Sequence, residues 1–426
     1  MREILFGYKL DPTTWAYVSA LMMIGIYFKF RRFWSVRNLD LIGLISFSPG
    51  LLLVYHGLLN HNNELVQAGY VWLFAVSGFF LIRLLLDPIM VRRPLLEPNL
   101  SASGLTFTGI SLLVFLMANV ITSPKERVEY ELAKQETQSL PSPGYEWFYK
   151  FAGFANEAMV PAEPDAAQPE TYRKALILAA TTRTAAILAH LAIVAGMVWL
   201  GYRHFDNIHT GVAAATLYLL TFYTSQLTSY VDHVVPAALL VWAVAAYRLP
   251  LLSGVLLGLA AGLIYYPLFL LPLWCSFYWR RGLVRFVVGV LLAMSLLAAS
   301  LALKWHDFGT FLDQVQRMIG WRNPIGVEKF TGFWQYYNPS YRISVLALFV
   351  AICAGMVFWP AQKNLGTLLS CSAAVMLATQ FWHAQQGGLC MAWYLPLLIL
   401  TVFRPNLEDR VAMSAVRPGW GRRKKT

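Results

Sequence analysis

The chain has 426 residues, of which 58% are hydrophobic and 13% are charged, about half the charged share of a soluble domain. One soluble core cannot bury so many apolar side chains, so the composition excludes an ordinary soluble globular protein. The net charge of +12 lies in short loops and in the C-terminal tail, not on one folded face, so we expect no nucleic-acid partner. The four cysteines lie in apolar runs without metal-like spacing, so we expect neither a disulfide nor a zinc site.

Long apolar runs predict an all-α polytopic membrane protein of about 13 transmembrane helices. The first run, from about Trp15 to Phe28, lacks a small-residue cleavage site and is followed by Lys29, so we expect a span and not a signal peptide. The predicted spans lie at about 13–30, 39–59, 69–87, 103–121, 175–201, 210–227, 234–247, 250–264, 267–279, 283–303, 343–360, 364–382 and 389–403.

One apolar run, near residues 250–279, is interrupted at Tyr265-Tyr266-Pro267. Proline lacks a backbone N–H group and breaks a helix interior, so we expect a tight hairpin that returns before Arg280. A single long kinked helix would instead carry that arginine to the opposite side of the membrane.

Positive charges between the runs predict the orientation. The short loops near 60–68, 228–233, 265–267 and 383–388 contain neither Lys nor Arg and are predicted to be outer. We therefore expect an outer N-terminus and a cytoplasmic C-terminus, in a bacterial inner membrane. The predicted inner loops carry Lys29, Arg31, Arg32, Arg37, Arg92, Arg93, Arg203, Arg248, Arg280, Arg281, Arg285 and Lys363.

Three regions follow from this threading: an N-terminal three-span region at 1–100, a transmembrane core at 101–403, and a loosely ordered basic tail at 404–426. Two outer segments of the core, 122–174 and 304–342, are long. Each contains apolar residues at helical spacing, which predicts a helix lying in the outer membrane interface. These residues are Trp147, Phe148, Phe151, Phe154 and Ala155 in the first segment, and Trp305, Phe308, Phe311, Leu312, Val315, Met318 and Ile319 in the second.

Ionisable groups within spans are costly and often functional. Arg83 and Asp87 are four residues apart on one helix, which favours a structural ion pair. A lone histidine within a predicted span, such as His190, is more often a packing residue than a catalyst. Arg183 lies about one turn below the outer surface, where it either extends to the interface or binds a lipid phosphate.

Two polar groups lie at predicted outer loops. Asp232 and His233 occupy a turn without positive charge, which fits a functional site and a solvated turn equally. Glu328 precedes an aromatic run that includes Trp334, a mixture that suits a carbohydrate surface or an interfacial belt.

From about residue 100 onward, the order of features resembles the GT-C-fold glycosyltransferases that use polyprenyl-phosphate sugars, most closely their bacterial mannosyltransferase-like branch. The resemblance covers about three quarters of the chain and leaves out the first three spans. Its elements are the long first outer segment, the span with Arg183, Ser229-Tyr230-Val231-Asp232-His233, the glycine-rich run Pro250–Ala260, Tyr265-Tyr266-Pro267, Leu271-Pro272-Leu273 and Trp393-Tyr394-Leu395-Pro396.

The resemblance implies a transferase that takes a sugar from a polyprenyl-phosphate donor on the outer side, with membrane lipids as further partners. A carboxylate would act as general base, and the candidates are Asp232, Glu126 and Glu129. Basic residues would bind the donor phosphate, and no cofactor is implied, although the fold accommodates a divalent metal. The phosphate candidates are Arg183, Lys304 and Arg322, and the substrate candidates are His233, Glu328, Trp334 and Tyr266.

Two other functions fit the sequence. A transporter or lipid flippase would typically show paired inverted repeats with broken helices, and only one interrupted run is present. A non-catalytic scaffold is the third reading, because the first outer segment contains no aspartate before Asp165.

Overall fold

The computed structural model describes residues 11–90, 97–121, 170–302, 307–321 and 330–416, and only the backbone of 170–176. Within these ranges the chain is helical, and its extended backbone pairs only in two isolated β-bridges. Six of the described helices are long and apolar enough to cross a membrane, and shorter apolar helices accompany them. These properties are those of a polytopic helical membrane protein.

The helices coincide with the thirteen predicted spans, and the number of complete crossings stays a prediction. In chain order the described helices are α1 (Pro12–Tyr27), α2 (Val36–Leu59), α3 (Asn63–Leu86), α4 (Ala102–Ile121), α5 (Glu170–His204), α6 (Ile208–Leu220), α7 (Phe222–Gln226), α8 (Val231–Ala245), α9 (Pro250–Leu263), α10 (Leu271–Tyr278), α11 (Leu283–Ala302), α12 (Phe308–Ile319), α13 (Ser340–Gly355), α14 (Leu365–Trp382), α15 (Leu395–Phe403) and α16 (Ala412–Ala415). The six of span length are α2, α3, α4, α5, α11 and α14.

Short polar side chains determine where several helices begin. The Asp11 carboxylate accepts the Thr14 amide at 2.8 Å, and Pro12 occupies the first turn of α1, where a missing N–H costs nothing. The Asn62 side chain accepts the amides of Glu64 and Leu65 at the start of α3. Asn62 therefore closes the tight turn between α2 and α3, which pack against each other as an antiparallel pair.

Helices α9 and α11 pack so closely that glycine is required at their contact. A Cβ atom on Gly254 would collide with the Phe286 carbonyl, and one on Gly258 would lie 2.9 Å from the Val290 carbonyl. The contacts advance in the same direction along both helices, so the two helices are parallel. Small residues allow such backbone contact between membrane helices.

The parallel arrangement requires the intervening chain to cross back, and it does so through a 3₁₀ turn (Tyr266–Leu270) and α10. The Tyr278 hydroxyl at the end of α10 donates to the Tyr247 carbonyl at 2.6 Å, just before α9 begins. The predicted hairpin at Tyr265-Tyr266-Pro267 is therefore confirmed, and the alternative of one long kinked helix is wrong.

We expect Gly254→Ala to lower the free energy of unfolding by about 1–3 kcal/mol, because its methyl group must displace the α11 backbone. Gly78→Ala, on α3, is the matched control, since no atom lies within 4 Å of its added Cβ. Replacing a helical glycine by alanine there should stabilise by roughly 0.5–1 kcal/mol. Equilibrium unfolding in mixed micelles measures both variants, and equal effects would contradict the close packing.

Loops that the sequence predicts to be inner meet at one end of the helix bundle, called the inner end below. Arg410, beyond α15, pairs with Asp206 in the α5–α6 turn at 2.7 Å. The Arg281 guanidinium, between α10 and α11, donates to the Met413 carbonyl. The predicted grouping of these loops is confirmed.

A buried ionic network lies at the inner end, and it contains the predicted Arg83–Asp87 ion pair. Arg83 binds both carboxylate oxygens of Asp40 at 3.0 Å and one oxygen of Asp87 at 2.9 Å. Arg404, just after α15, binds the other oxygen of Asp87 at 2.5 Å. Asp40 and Asp87 are almost fully buried, so each carboxylate depends on its arginine partners.

The expectation of a loose tail from Arg404 onward is wrong as far as Val416. Leu407, Ala412 and Val416 are buried, and Val411 forms a β-bridge with Asn364. The basic residues after position 416 dominate the composition of the tail and obscured these apolar positions. Residues 417–426 lie outside the described ranges.

The predicted helix in the second outer segment is confirmed as α12. The Asp307 carboxylate caps it by accepting the Thr310 amide at 2.9 Å, and Gly320 ends it. Met318 packs against Leu297 and Leu301 of α11. The other predicted interfacial helix, around 147–154, lies outside the described residues.

Candidate functional site

Several loops meet at the end of the bundle opposite the inner end, called the outer end below. The Thr331 amide donates to the Ala384 carbonyl at 3.1 Å, and the Gln386 amide donates to the Thr331 carbonyl at 3.0 Å. Within α14, the buried Gln380 side chain accepts the amides of Gly388 and Cys390. The 330–338 and 383–394 segments are therefore held together, and they adjoin the start of α8.

Asp232 lies in the first turn of α8, where the helix dipole favours a negative charge. Its backbone carbonyl accepts the Trp393 indole N–H at 3.1 Å, which joins α8 to the last outer loop. The residue is partly exposed, and its carboxylate raises the pKa of His383 by electrostatic attraction, against larger opposing effects. Asp232 therefore lies close enough to His383 to influence the protonation of its imidazole.

His233, the next residue, points into the protein. Its Nδ1 lies 2.8 Å from the Tyr223 hydroxyl, and its Nε2 lies 3.8 Å from the Cys390 sulfur. The ring also stacks on Tyr230 with centroids 5.3 Å apart. These contacts fix the orientation of the imidazole.

Tyr266 connects the hairpin between α9 and α10 to the last outer loop. The Tyr265 hydroxyl donates to the Tyr266 hydroxyl at 2.9 Å, and the Tyr266 hydroxyl bonds to Nδ1 of His383. The Trp393 ring lies beside both, 5.1 Å from Tyr266 and 5.7 Å from His383 between centroids. A hydrogen-bonded chain thus runs from Tyr265 to the partly exposed His383.

Burial lowers the pKa of His383 to about 3, and the nearby Arg342 and His233 add to the effect while Asp232 opposes it. The imidazole is therefore neutral at pH 7, so Nδ1 accepts the Tyr266 hydroxyl proton and Nε2 carries the ring proton, an assignment made from this network.

This pKa predicts acid sensitivity. In the unfolded chain His383 titrates near 6.5, so between pH 6.5 and 3 the unfolded state binds the extra proton. We expect stability to fall as the pH drops below about 6.5, by up to about 1.4 kcal/mol per pH unit from this group. The melting temperature should drop less between pH 7 and pH 5 for His383→Gln than for the unchanged protein. An equal drop in both proteins would contradict the assignment.

Arg342, in the first turn of α13, was not identified from the sequence. Its Nε donates to the Trp382 carbonyl at 2.5 Å, and the guanidinium lies 5.6 Å from the Phe330 ring centroid. A basic residue that begins a span at a predicted outer loop departs from the positive-inside pattern, and that departure is the signal that could have found it.

The structure joins four predicted site residues, Asp232, His233, Tyr266 and Trp334, through the last outer loop and the end of α14. The Trp334 indole donates to the Phe381 carbonyl at 3.0 Å. However, His233 is 5% exposed, and Tyr266 and Trp334 are each 4% exposed, so they offer a ligand little surface. The predicted substrate-binding role of these three stays a prediction, and the partly exposed groups of the cluster are Asp232, His383 and Tyr265.

Two further candidates within the described ranges, His190 and Arg183, lie on α5. Both nitrogens of His190 are engaged, by the Thr228 carbonyl at 2.9 Å and the Tyr218 hydroxyl at 3.1 Å, which confirms a packing role. Arg183 precedes His190 by seven residues on α5, about 10 Å further towards the outer end. The roles predicted for Glu126, Glu129, Lys304, Arg322 and Glu328 concern residues outside the described ranges.

Within the described ranges, no group of three or more His, Cys, Asp or Glu side chains could hold a metal ion. Comparisons with protein-family models, with curated proteins and with solved structures found no match to this chain.

Proposed function

We propose that the chain is a membrane glycosyltransferase that transfers a sugar from a polyprenyl-phosphate donor to an extracytoplasmic acceptor. The observation that carries the proposal is the proximity, at the outer end, of the partly exposed residues Asp232 and His383, which both adjoin Trp393. Arg342 lies within electrostatic reach of His383. A base and a cation at one membrane end suit transfer from a lipid phosphate.

In the proposed reaction, Asp232 removes the proton from an acceptor hydroxyl as general base. The acceptor oxygen forms a bond to the anomeric carbon of the sugar while the bond from that carbon to the phosphate oxygen breaks. The electron pair stays on the phosphate oxygen, so polyprenyl phosphate leaves with one additional negative charge. The positive charge of Arg342, which is 6% exposed, stabilises this developing charge electrostatically from within the protein.

The buried residues behind Asp232 support a positioning role. The Trp393 indole holds the Asp232 backbone, and the Tyr266 hydroxyl holds Nδ1 of His383, so the position of the Asp232 backbone and the orientation of the His383 ring are restricted. A positioned base contributes to rate by avoiding the entropy loss of assembling the reacting groups. In this proposal the outer end faces the extracytoplasmic side and the inner end faces the cytoplasm.

Purified protein in lipid nanodiscs tests the proposal. Short-chain polyprenyl phosphates carrying radiolabelled mannose or glucose would be supplied with lipid and saccharide acceptors. We expect polyprenyl phosphate to be released in equal amount to the sugar transferred. If sealed vesicles took up the intact labelled donor without cleaving it, the transporter function would replace the proposal. If the protein reacted with neither donor, the assignment as a mannosyl- or glucosyltransferase would be overturned.

A further inference from the structure

The apolar side of α12 is divided between the protein and its surroundings. Phe311, Val315 and Met318 pack with α11 in a small separate core. Phe308 is 74% exposed, and Leu312 and Ile319 are each 43% exposed. These three residues follow one another at intervals of one and two helical turns and form a stripe beside the packed side chains. The described fold leaves this second half of the apolar side uncovered.

Lipid is the occupant that fits this stripe. Leu291, Leu292 and Leu296 are exposed on α11, which is itself long and apolar enough to span a membrane. Since α12 packs against the final turns of α11, its exposed stripe adjoins a lipid-facing surface. Its polar side carries the Asp313–Arg317 ion pair at 3.0 Å, as expected of a helix between lipid and water.

The C-terminal end of α12 touches the candidate site. Gly320 has φ +73°, a left-handed conformation that favours glycine, and a Cβ atom there would collide with the Tyr265 ring. Tyr265 begins the hydrogen-bonded chain through Tyr266 to His383. The position of α12 and the position of Tyr265 are therefore mechanically linked.

We infer that outer-leaflet lipid covers the Phe308–Leu312–Ile319 stripe, and that the lipid-held helix keeps Tyr265 packed over the outer-end site. The stripe holds α12 at the membrane surface. The contact between Gly320 and the Tyr265 ring couples the position of the helix to the position of that ring. The site is thus closed only while α12 is seated on lipid. This coupling does not depend on which reaction the site performs.

Nitroxide labels on single cysteines at 312 and 313 test the lipid contact in nanodiscs, in a background in which all four native cysteines are replaced. Asp313 is the control because it lies about 100° around the helix from Leu312, on the polar side of the same helix. We expect the label at 312 to collide with oxygen and the label at 313 with a water-soluble nickel chelate. Equal nickel access at both positions, or access of neither reagent to 312, would overturn lipid as the occupant.

Alkylation of Cys390, which lies beside His233 in the site, tests the coupling. The other cysteines would be replaced (Cys275→Ser, Cys353→Ala, Cys371→Ala). We expect Gly320→Ala to raise the maleimide reaction rate about tenfold. An alanine in the left-handed conformation destabilises the closed arrangement by about the free energy that changes an equilibrium constant tenfold.

Gly309→Ala makes the same change near the other end of α12, where its Cβ would approach only the exposed Asp307 carboxylate, and it should leave the rate unchanged. Leu312→Asn weakens lipid contact without touching Tyr265 and should raise the rate as well. It carries the test alone if Gly320→Ala fails to fold. An unchanged rate in Leu312→Asn would overturn the coupling.

Discussion

Arg404→Met should lower the free energy of unfolding by about 3–5 kcal/mol, the usual cost of removing one partner from a buried ion pair. The substitution keeps most of the side-chain volume and removes the charge. Asp87 would remain fully buried and would lose one of its charged partners, while Arg83 is shared with Asp40. Equilibrium unfolding in mixed micelles, followed by tryptophan fluorescence, measures the change.

Arg410→Met is the control, because it makes the same change six residues later in a solvent-exposed pair with Asp206. Exposed ion pairs contribute about 0–1 kcal/mol, so little loss is expected. If both variants lost the same stability, the Asp40–Arg83–Asp87–Arg404 network would have no special energetic role.

Asp232→Asn should reduce the rate of sugar transfer by about 10²–10⁴-fold, the contribution typical of a positioned general base. Asparagine keeps the shape of the side chain and cannot take a proton. Because the Trp393 indole bonds to the backbone of residue 232, the local fold should persist. The expected loss is in kcat, with a small change in KM for the donor.

Glu64→Gln is the matched control, since Glu64 is an exposed carboxylate near the outer end, in the first turn of α3. It should transfer sugar at the unchanged rate. If Asp232→Asn retained full activity in a protein that transfers sugar, the base would be a different carboxylate, and Glu126 and Glu129 would be the next to replace.

The helical architecture was predictable because a bilayer allows few alternatives. Backbone groups in lipid must be satisfied within helices, so apolar run length alone located the helical segments. Pro267 marked the return between α9 and α10 because proline breaks helices wherever they occur. The packed segment up to Val416 was missed because its partners, such as Asn364 and Asp87, are distant in sequence.

The candidate site was predictable only in part. Asp232 and Tyr266 stood out because a charge and a proline-linked break interrupt apolar runs. His383 and Arg342 were missed because their environment depends on contacts between segments separated by tens to more than a hundred residues, such as Tyr266 with His383 and Asp232 with Trp393. Which members of the cluster are exposed and which are buried likewise depends on tertiary contacts.

The inner-end ionic network also orders the events of biosynthesis. Asp40, Arg83 and Asp87 are synthesised early, whereas Arg404 emerges 317 residues after Asp87. The network is therefore completed only when the last helix is in place. Its completion fastens the end of the chain to its beginning, and a nascent protein that lacks its last helix also lacks this contact.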